Sequence, residues 1–453
     1  MWGFTVDDAL ISVRYARHLA EGAGYRFDVT GPSTDGVTPL PWAFLLAPLA
    51  AGTAMTTLLR AKVLGVVAWT AAGAALGARV GAIAGRERAQ TALAAASLGV
   101  MGLAFSIGAW AASGMETGLA TALATVAVTR MGRPRLVAVL AGLAAALRPE
   151  MVVWALTIAA GAVIARERRG DREGERDSVR GGGRGVRELL GAAAIAFMPF
   201  AACAVLRTIF FGRPAPLAVL AKPSDLLHGA VYAGAATLVV LLPVLVCAPL
   251  ALWRARGVGL AVVVAFLAHA FAVAGAGGDW MPYARLIVPV APSLVIAFVE
   301  ISKATRPAWS ASRVAAAAVL GVLLAFRAAP AGRSVYSDRA ELVEHARPVL
   351  AGTQVLAALD IGWLGAATEA SIVDLGGLTD PAIALLPGGT TSKRVDVPML
   401  LDRRVDTVIV YSELRVVEIR IVRSELFQSR FVAAEKLPVG SRGAFYTVYR
   451  RRP

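Results

Sequence analysis

Eleven apolar runs divide the first 330 residues, at approximately 40–56, 61–84, 91–112, 117–129, 136–147, 151–165, 189–210, 231–253, 259–275, 284–302 and 312–329. Short polar loops separate them. Several are shorter than the ~20 residues a perpendicular crossing needs, so some helices must extend into their polar flanks. The runs are too long for barrel strands and do not alternate, which excludes a β-barrel. The pattern predicts an all-α polytopic domain of about ten transmembrane helices. Run 40–56 carries Pro39, Pro41, Pro48 and Gly52 in or beside it, and is read as an interfacial or re-entrant helix.

Before the first run lies a long polar stretch, Met1 to Trp42. It opens on adjacent carboxylates, Asp7 and Asp8, followed by Arg14, Tyr15, Arg17 and His18 at helical spacing. Asp8, Ser12 and Tyr15 share one helical face, and Asp7, Ile11, Arg14 and His18 share the next. The plain structural reading is a capping box from Thr5 to Asp8, with acidic groups in the first turn. The functional reading is that charges beside an apolar body are retained for chemistry.

After about Pro330 the pattern changes to short apolar segments among charged helices: TQVLAAL, ASIVDL, VDTVIVY, FVAAEKL and FYTVYR. This predicts a small soluble α/β domain over 331–453. Asp360 and Asp374 end two of its predicted strands, where such domains place ligand-facing groups. The expected division is therefore an outer loop over 1–60, a transmembrane helical domain over 61–330, and the soluble tail.

Composition agrees with a membrane protein: 57% of residues are hydrophobic and only 17% charged. Soluble domains run near 45–50% apolar. The net charge of +15 comes from arginines crowded into short loops, the pattern of cytoplasmic loops rather than of a nucleic-acid surface. The loop 166–188 is densest and is set inside. The loops at Arg86/Arg88, Arg130/Arg133/Arg135, Arg254/Arg256 and Lys303/Arg306/Arg313 follow it. The opposite loops are SGMET (113–117), LRPE (147–150), FGRPAPLAVLAKPSD (211–225) and GGDWMPYAR (277–285), which carry Glu116, Glu150 and Asp279. The acidic pair, these loops and the tail then share the outer side. Parity also calls for one more helix upstream of Met1. Cys203 and Cys247 lie in apolar segments and read as small buried hydrophobes. No metal or redox motif is present, and GGGRG (181–185) follows charges rather than a strand, which reads as a flexible loop.

The segments DDALISVRYARHLAEGAGYRF (7–27), TPLPW (38–42), SGMETGL (113–119), LRPE (147–150), FGRPAPLAVLAK (211–222), GGDWMPYARLIVPVAP (277–292) and DIGWLGAATEASIVDLGGLTDPAIA (360–384) carry a resemblance. In this order and over nearly the whole chain, they resemble the GT-C superfamily of integral membrane glycosyltransferases. The nearest branch is that of the mycobacterial terminal arabinofuranosyltransferases. Where that family commonly has EGYTNPLW and LLPNT, this chain has DGVTPLPW and RPAPLAV. The resemblance implies a bacterial cytoplasmic-membrane enzyme. It would transfer a hexose or pentose from a polyprenyl-phosphate sugar to a cell-envelope glycan or lipid on the outer side.

That chemistry needs a carboxylate to take the acceptor's proton, cations for the departing lipid phosphate, and an apolar groove. By the resemblance Asp7 or Asp8 is the base; neighbours on a helix point about 100° apart, so the other is free to cap the helix or bind a divalent cation. Arg14, Arg148, Lys222 and Arg285 are the phosphate candidates, with snorkelling as the plain alternative. Tyr15, Glu116, Glu150, Asp279 and Trp280 are the sugar or acceptor candidates; for Glu116 and Glu150 the alternative is pairing with Arg148. His269, mid-helix, reads as a packing residue. One base and no second nucleophile imply inversion. Two other classes compete: a lipid-linked sugar transporter, which calls for internal repeats and mid-membrane charges, and a non-catalytic envelope protein on the same scaffold.

Overall fold

The apolar runs become helices in a computed structural model that describes residues 1–172, 181–222, 225–245, 257–441 and 443–453. In chain order they are α1 (Asp7–Ala20), α2 (Leu40–Leu46), α3 (Ala54–Ala84), α4 (Arg88–Gly102), α5 (Phe105–Ala111), α6 (Thr117–Thr129), α7 (Pro134–Leu147), α8 (Val152–Arg172), α9 (Gly181–Phe211), α10 (Leu217–Ala221), α11 (Leu226–Leu245), α12 (Val258–Gly275), α13 (Leu294–Ser302) and α14 (Pro307–Val349). Among the described residues five helices are long and apolar enough to cross a membrane: Ala54–Ala84, Pro149–Arg168, Gly185–Phe211, Val258–Gly275 and Pro307–Val349. A sixth is added if Arg88–Gly102 and Phe105–Ala111, bent by 58°, form one span. Shorter apolar helices accompany them at Leu40–Leu49, Thr117–Thr129, Pro134–Leu147 and Leu226–Val239.

Several boundaries differ from the sequence expectation, each for a local reason. Run 40–56 breaks after a 3-10 turn at Ala47–Leu49. Gly52, at φ 94°, turns the chain into α3, a conformation costly for residues with a Cβ. Gly181–Gly185, expected as a loop, is the first turn of α9. Run 312–329 is part of a 43-residue helix that passes through Pro330, because the following Arg, Ala, Glu and Leu residues are good helix formers. Cys247, Arg254, Arg256 and residues 173–180 of the arginine-rich loop lie outside the described residues.

The chain forms two compact units. The first comprises Met1–Trp2, Val63–Ala202 and Ser224–Pro330. It is helical, and small residues let its backbones approach: Ala138, Ala159, Val163, Ala192 and Ala196 pack together where α7, α8 and α9 meet. A Cβ on Gly142 would lie 2.7 Å from the Ala196 carbonyl oxygen.

The second unit comprises Gly3–Lys62, Cys203–Pro223 and Ala331–Pro453. All five short apolar segments of the tail contain strands: β1 (Val355–Ala358), β2 (Ser371–Asp374), β3 (Thr407–Tyr411), β4 (Phe431–Val439) and β5 (Ala444–Arg451). The sheet order is β2-β1-β3-β5-β4. β1 runs parallel to β2 and β3, while β5 is antiparallel to β3 and β4. The parallel half carries the short crossover helix α15 (Ile361–Ala367), which leads from β1 to β2. Ala357, Val373, Val408, Val410, Val417 and Phe427 belong to one core beneath the sheet.

Asp374, expected to face a ligand, is instead fully buried. It accepts hydrogen bonds from the amides of Gly376 (2.8 Å) and Thr379 (2.7 Å) and from the Thr379 hydroxyl (3.1 Å). Burial outweighs these donors and pushes its carboxyl from 3.8 up to about 6. The folded chain then holds this proton more tightly than the unfolded chain. The stabilisation is complete below about pH 4 and is lost as pH rises through 6; two units correspond to roughly 3 kcal/mol. The melting temperature of the intact protein should therefore fall between pH 4.5 and pH 7.5 by more than that of Asp374→Asn. Parallel pH profiles for the two would remove the assignment.

Candidate functional site

Helix α1 begins after Val6, with no side-chain cap at that residue, so the expected Thr5–Asp8 capping box is not formed. Instead the Asp7 side chain caps a different helix. Its oxygens accept the Gly362 amide at 2.7 Å and the Trp363 amide at 3.0 Å, the otherwise unpaired donors of the first turn of α15. Arg339 of α14 closes the group at 2.9 Å. The approach needs a glycine at 362, because a Cβ there would sit 2.0 Å from the Asp7 carbonyl oxygen. Burial pushes the Asp7 carboxyl up to about 6, with Arg339 pulling the other way, so it remains a carboxylate at neutral pH. Beyond it Asp360 takes Arg415 and the Tyr446 hydroxyl, each at 2.8 Å.

Asp8, one residue on, is half-buried. Its backbone carbonyl accepts the Ser12 hydroxyl at 3.5 Å. Among the described residues no side chain or amide engages the Asp8 carboxylate. The acidic pair is thus split: Asp7 holds the tail against the opening helix, and Asp8 is left available.

Two other candidates on α1 are engaged elsewhere. Arg14 was expected to hold phosphate, yet it is buried and spends every N–H on its own unit. Nε donates to Phe27 O (2.7 Å). Nη1 donates to Gly365 O (3.2 Å) and Thr368 O (2.8 Å). Nη2 donates to Asp28 (3.1 Å) and Ala370 O (3.2 Å). Tyr15, a sugar candidate, is also buried; its hydroxyl bonds Thr34 (2.8–2.9 Å) and accepts the Gly36 amide (3.1 Å). Both residues stitch the opening loop together and have no exposed donor to offer a substrate.

The same unit contains an ion pair that sequence reasoning missed. Arg207 of α9 donates to Asp35 at 2.7 Å and reaches the Thr38 carbonyl, which fixes the DGVTPLPW loop. The signal was a lone arginine inside an apolar run, the most expensive place to leave a charge unexplained. Lys62 is another such charge: it is buried and donates to Phe4 O at 2.7 Å. Lys222, at the C-terminal end of α10, is half-buried, and among the described residues no partner binds its ammonium.

In the helical unit, Arg148 lies between two carboxylates. It donates to Glu116 at 2.8 Å, to Glu150 at 2.7 Å and to the Thr117 hydroxyl at 3.1 Å. Glu116 and Glu150 therefore pair with the arginine, the structural alternative weighed for them. Arg148, with these bonds, is a partner to carboxylates where a phosphate contact was expected. The second oxygen of Glu116 is buried and, among the described residues, has no hydrogen-bond partner. Asp279 pairs with Arg285 at 2.7 Å and caps the Trp280 amide at 2.9 Å. Trp280 is 77% exposed and stacks on His228, with ring centroids 4.2 Å apart. Tyr283 and Ala284 follow at φ 61° and 58°, left-handed conformations that cost roughly 1–2 kcal/mol each and fix this loop in an unusual path. His269 is buried and its Nε2 donates to the Leu286 carbonyl oxygen (2.7 Å). Among the described residues no three His, Cys, Asp or Glu side chains gather as ligands of a metal ion would.

A solved structure of ArnT from Cupriavidus metallidurans, bound to undecaprenyl phosphate, matches this chain with a TM-score of 0.56. The match covers 98% of this chain and 94% of that one at 12% identity. The chain has the GT-C fold. Its apolar helices make it a multi-pass membrane protein. A family model described as a domain of unknown function (DUF8728) matches residues 334–449, the end of α14 and the sheet-bearing tail. A search of the curated proteins found no match.

Proposed function

We propose that this chain is a membrane glycosyltransferase that transfers a sugar from a polyprenyl-phosphate donor to a cell-envelope glycan or lipid. The observation that carries the reading is the fold shared over 98% of the chain with a protein solved with undecaprenyl phosphate bound. Asp8 supports it from inside the chain, as the member of the acidic pair left without a partner among the described residues.

In this reading Asp8 takes the proton of the acceptor hydroxyl as that oxygen attacks the anomeric carbon. The bond to the lipid phosphate breaks with its electron pair, and single displacement inverts the centre. Lys222 stabilises the departing phosphate, since Arg14 and Arg148 have committed their donors. Arg285 keeps a supporting place beside Asp279. Trp280 and His228 form an exposed aromatic surface for a sugar or acceptor. Asp7 positions α1 and carries no proton in the reaction. In this reading Asp8 and the tail face the outer side of a bacterial cytoplasmic membrane, an orientation supported by the arginine-rich loops of the sequence. The sugar is a hexose or pentose, with the arabinofuranosyltransferase-like branch nearest by motif.

The test is release of free polyprenyl phosphate by purified protein supplied with polyprenyl-phosphate hexoses and pentoses and an envelope extract. Release that depends on Asp8 establishes the activity, and the donor consumed names the sugar. Binding of donor with no release under any acceptor supply would replace this reading by that of a non-catalytic envelope protein.

A further inference from the structure

A second site, independent of the catalytic reading, lies at the loop ends of α7, α8 and α9. Arg133 and Arg135 at the start of α7, Arg166 near the end of α8, and Arg187 near the start of α9 line one cavity of about 1050 Å³. Among the described lining residues one carboxylate, Glu188, accompanies them and reaches Arg166 at 3.7 Å. A neighbouring cavity of about 260 Å³ shares Arg133 and Arg166 and adds Arg79 and Arg130. The Arg79 Nε is buried and, among the described residues, has no hydrogen-bond partner.

Clustered guanidinium groups repel one another, and among the described lining residues one half-exposed glutamate does not balance four of them. The positive-inside rule explains why arginines occupy this end of the helices, but not why they converge on one hollow. The N-terminus of α7 opens at the same place, with Arg133 as its flanking residue, and adds partial positive charge. Such a hollow suits an anion with several acceptor oxygens, a phosphate group, which guanidinium binds in a bidentate manner.

The walls distinguish the source of that phosphate. Leu136, Val163, Ala192 and Ile195 make one side of the cavity apolar. Leu136, Val139 and Leu143 then continue along the outside of α7, exposed at one-turn spacing. Arg166 and Arg187 lie within three residues of the ends of the apolar spans Pro149–Arg168 and Gly185–Phe211. A polar, cationic mouth at the end of a span, continued by an exposed apolar ridge, matches an amphiphile with a phosphate head and acyl tails. Basic pockets between transmembrane helices bind anionic headgroups in this manner. We propose that this cavity binds the phosphate headgroup of an anionic phospholipid, with the acyl chains along the Leu136–Leu143 face of α7.

The experiment is native mass spectrometry and thermal melting of the full chain in neutral detergent, titrated with phosphatidylglycerol, phosphatidylcholine or inorganic phosphate. The parent should retain phosphatidylglycerol, melt at a higher temperature with it, and respond to neither of the others. Replacing Arg133, Arg135 and Arg187 with Gln should weaken retention at least tenfold; replacing Arg86, Arg88 and Arg306 should not. Glu188→Gln, which removes the one carboxylate of the lining, should tighten retention two- to threefold, and it remains informative if the triple variant fails to fold. Equal retention in the parent, the triple variant and Glu188→Gln would overturn the site. Equal protection by inorganic phosphate would overturn the lipid assignment.

Discussion

Asp8→Asn is expected to abolish release of polyprenyl phosphate while the protein keeps its folded yield and melting temperature. The Asp8 carboxylate has no partner among the described residues, so neutralising it breaks no bond to any of them. A general base contributes about 10²–10⁴-fold to a rate, and its amide cannot accept the acceptor's proton. Turnover per folded molecule should therefore drop by at least about 100-fold. Asp7→Asn should behave differently. It faces two amide donors and Arg339 with a group that is itself half donor, leaving Arg339 without its counter-charge. A half-buried charge stripped of its partner costs roughly 2 kcal/mol or more. That variant should lose stability first, and activity in proportion to the folded protein lost. Should Asp8→Asn turn over normally while a well-folded Asp7→Asn is dead, the two roles must be exchanged.

Arg14→Ala is expected to be the most destabilising single substitution in the second unit. It leaves the carbonyls of Phe27, Gly365, Thr368 and Ala370 and the Asp28 carboxylate without their shared donor. Breaking a buried ion pair from one side costs about 3–5 kcal/mol. Arg14→Lys should recover only part of this, since an ammonium has three donors where five are used. The measurement is thermal melting together with the fraction of protein extracted in monodisperse form. If Arg14→Lys melts like the parent yet releases no polyprenyl phosphate, Arg14 acts on the donor and the clamp is secondary.

What the sequence disclosed follows from what periodicity encodes. Short apolar runs marked all five tail strands, β1 to β3 being buried along consecutive residues, and the longer apolar runs marked the helices. Ends were less legible: α3 starts before its apolar run and α14 continues far beyond its own, since helix formers of any polarity prolong a helix once begun. Candidate residues could be named from their type, but not what each would touch. A face assignment tells which way Arg14 points but not that main-chain carbonyls some 350 positions away will be waiting for it. Arg207 and Asp35, 172 positions apart, share no sequence window at all. Asp7 and Asp8 look equivalent in a string of letters. The amides of Gly362 and Trp363 separate them.

The sequence separation in the Arg14 clamp also sets an order of events during synthesis. The bond to Gly365 O joins residues 351 apart. At about 5–20 residues per second, the opening helix waits roughly 20–70 s after its own synthesis before the segment that fixes it exists. Until then Asp7 lacks its two amides and Arg14 lacks three of its carbonyls. The ribosome thus delivers the carboxylate pair first and its orientation last. A nascent chain interrupted anywhere before the tail carries Asp8 on a helix that still lacks these bonds.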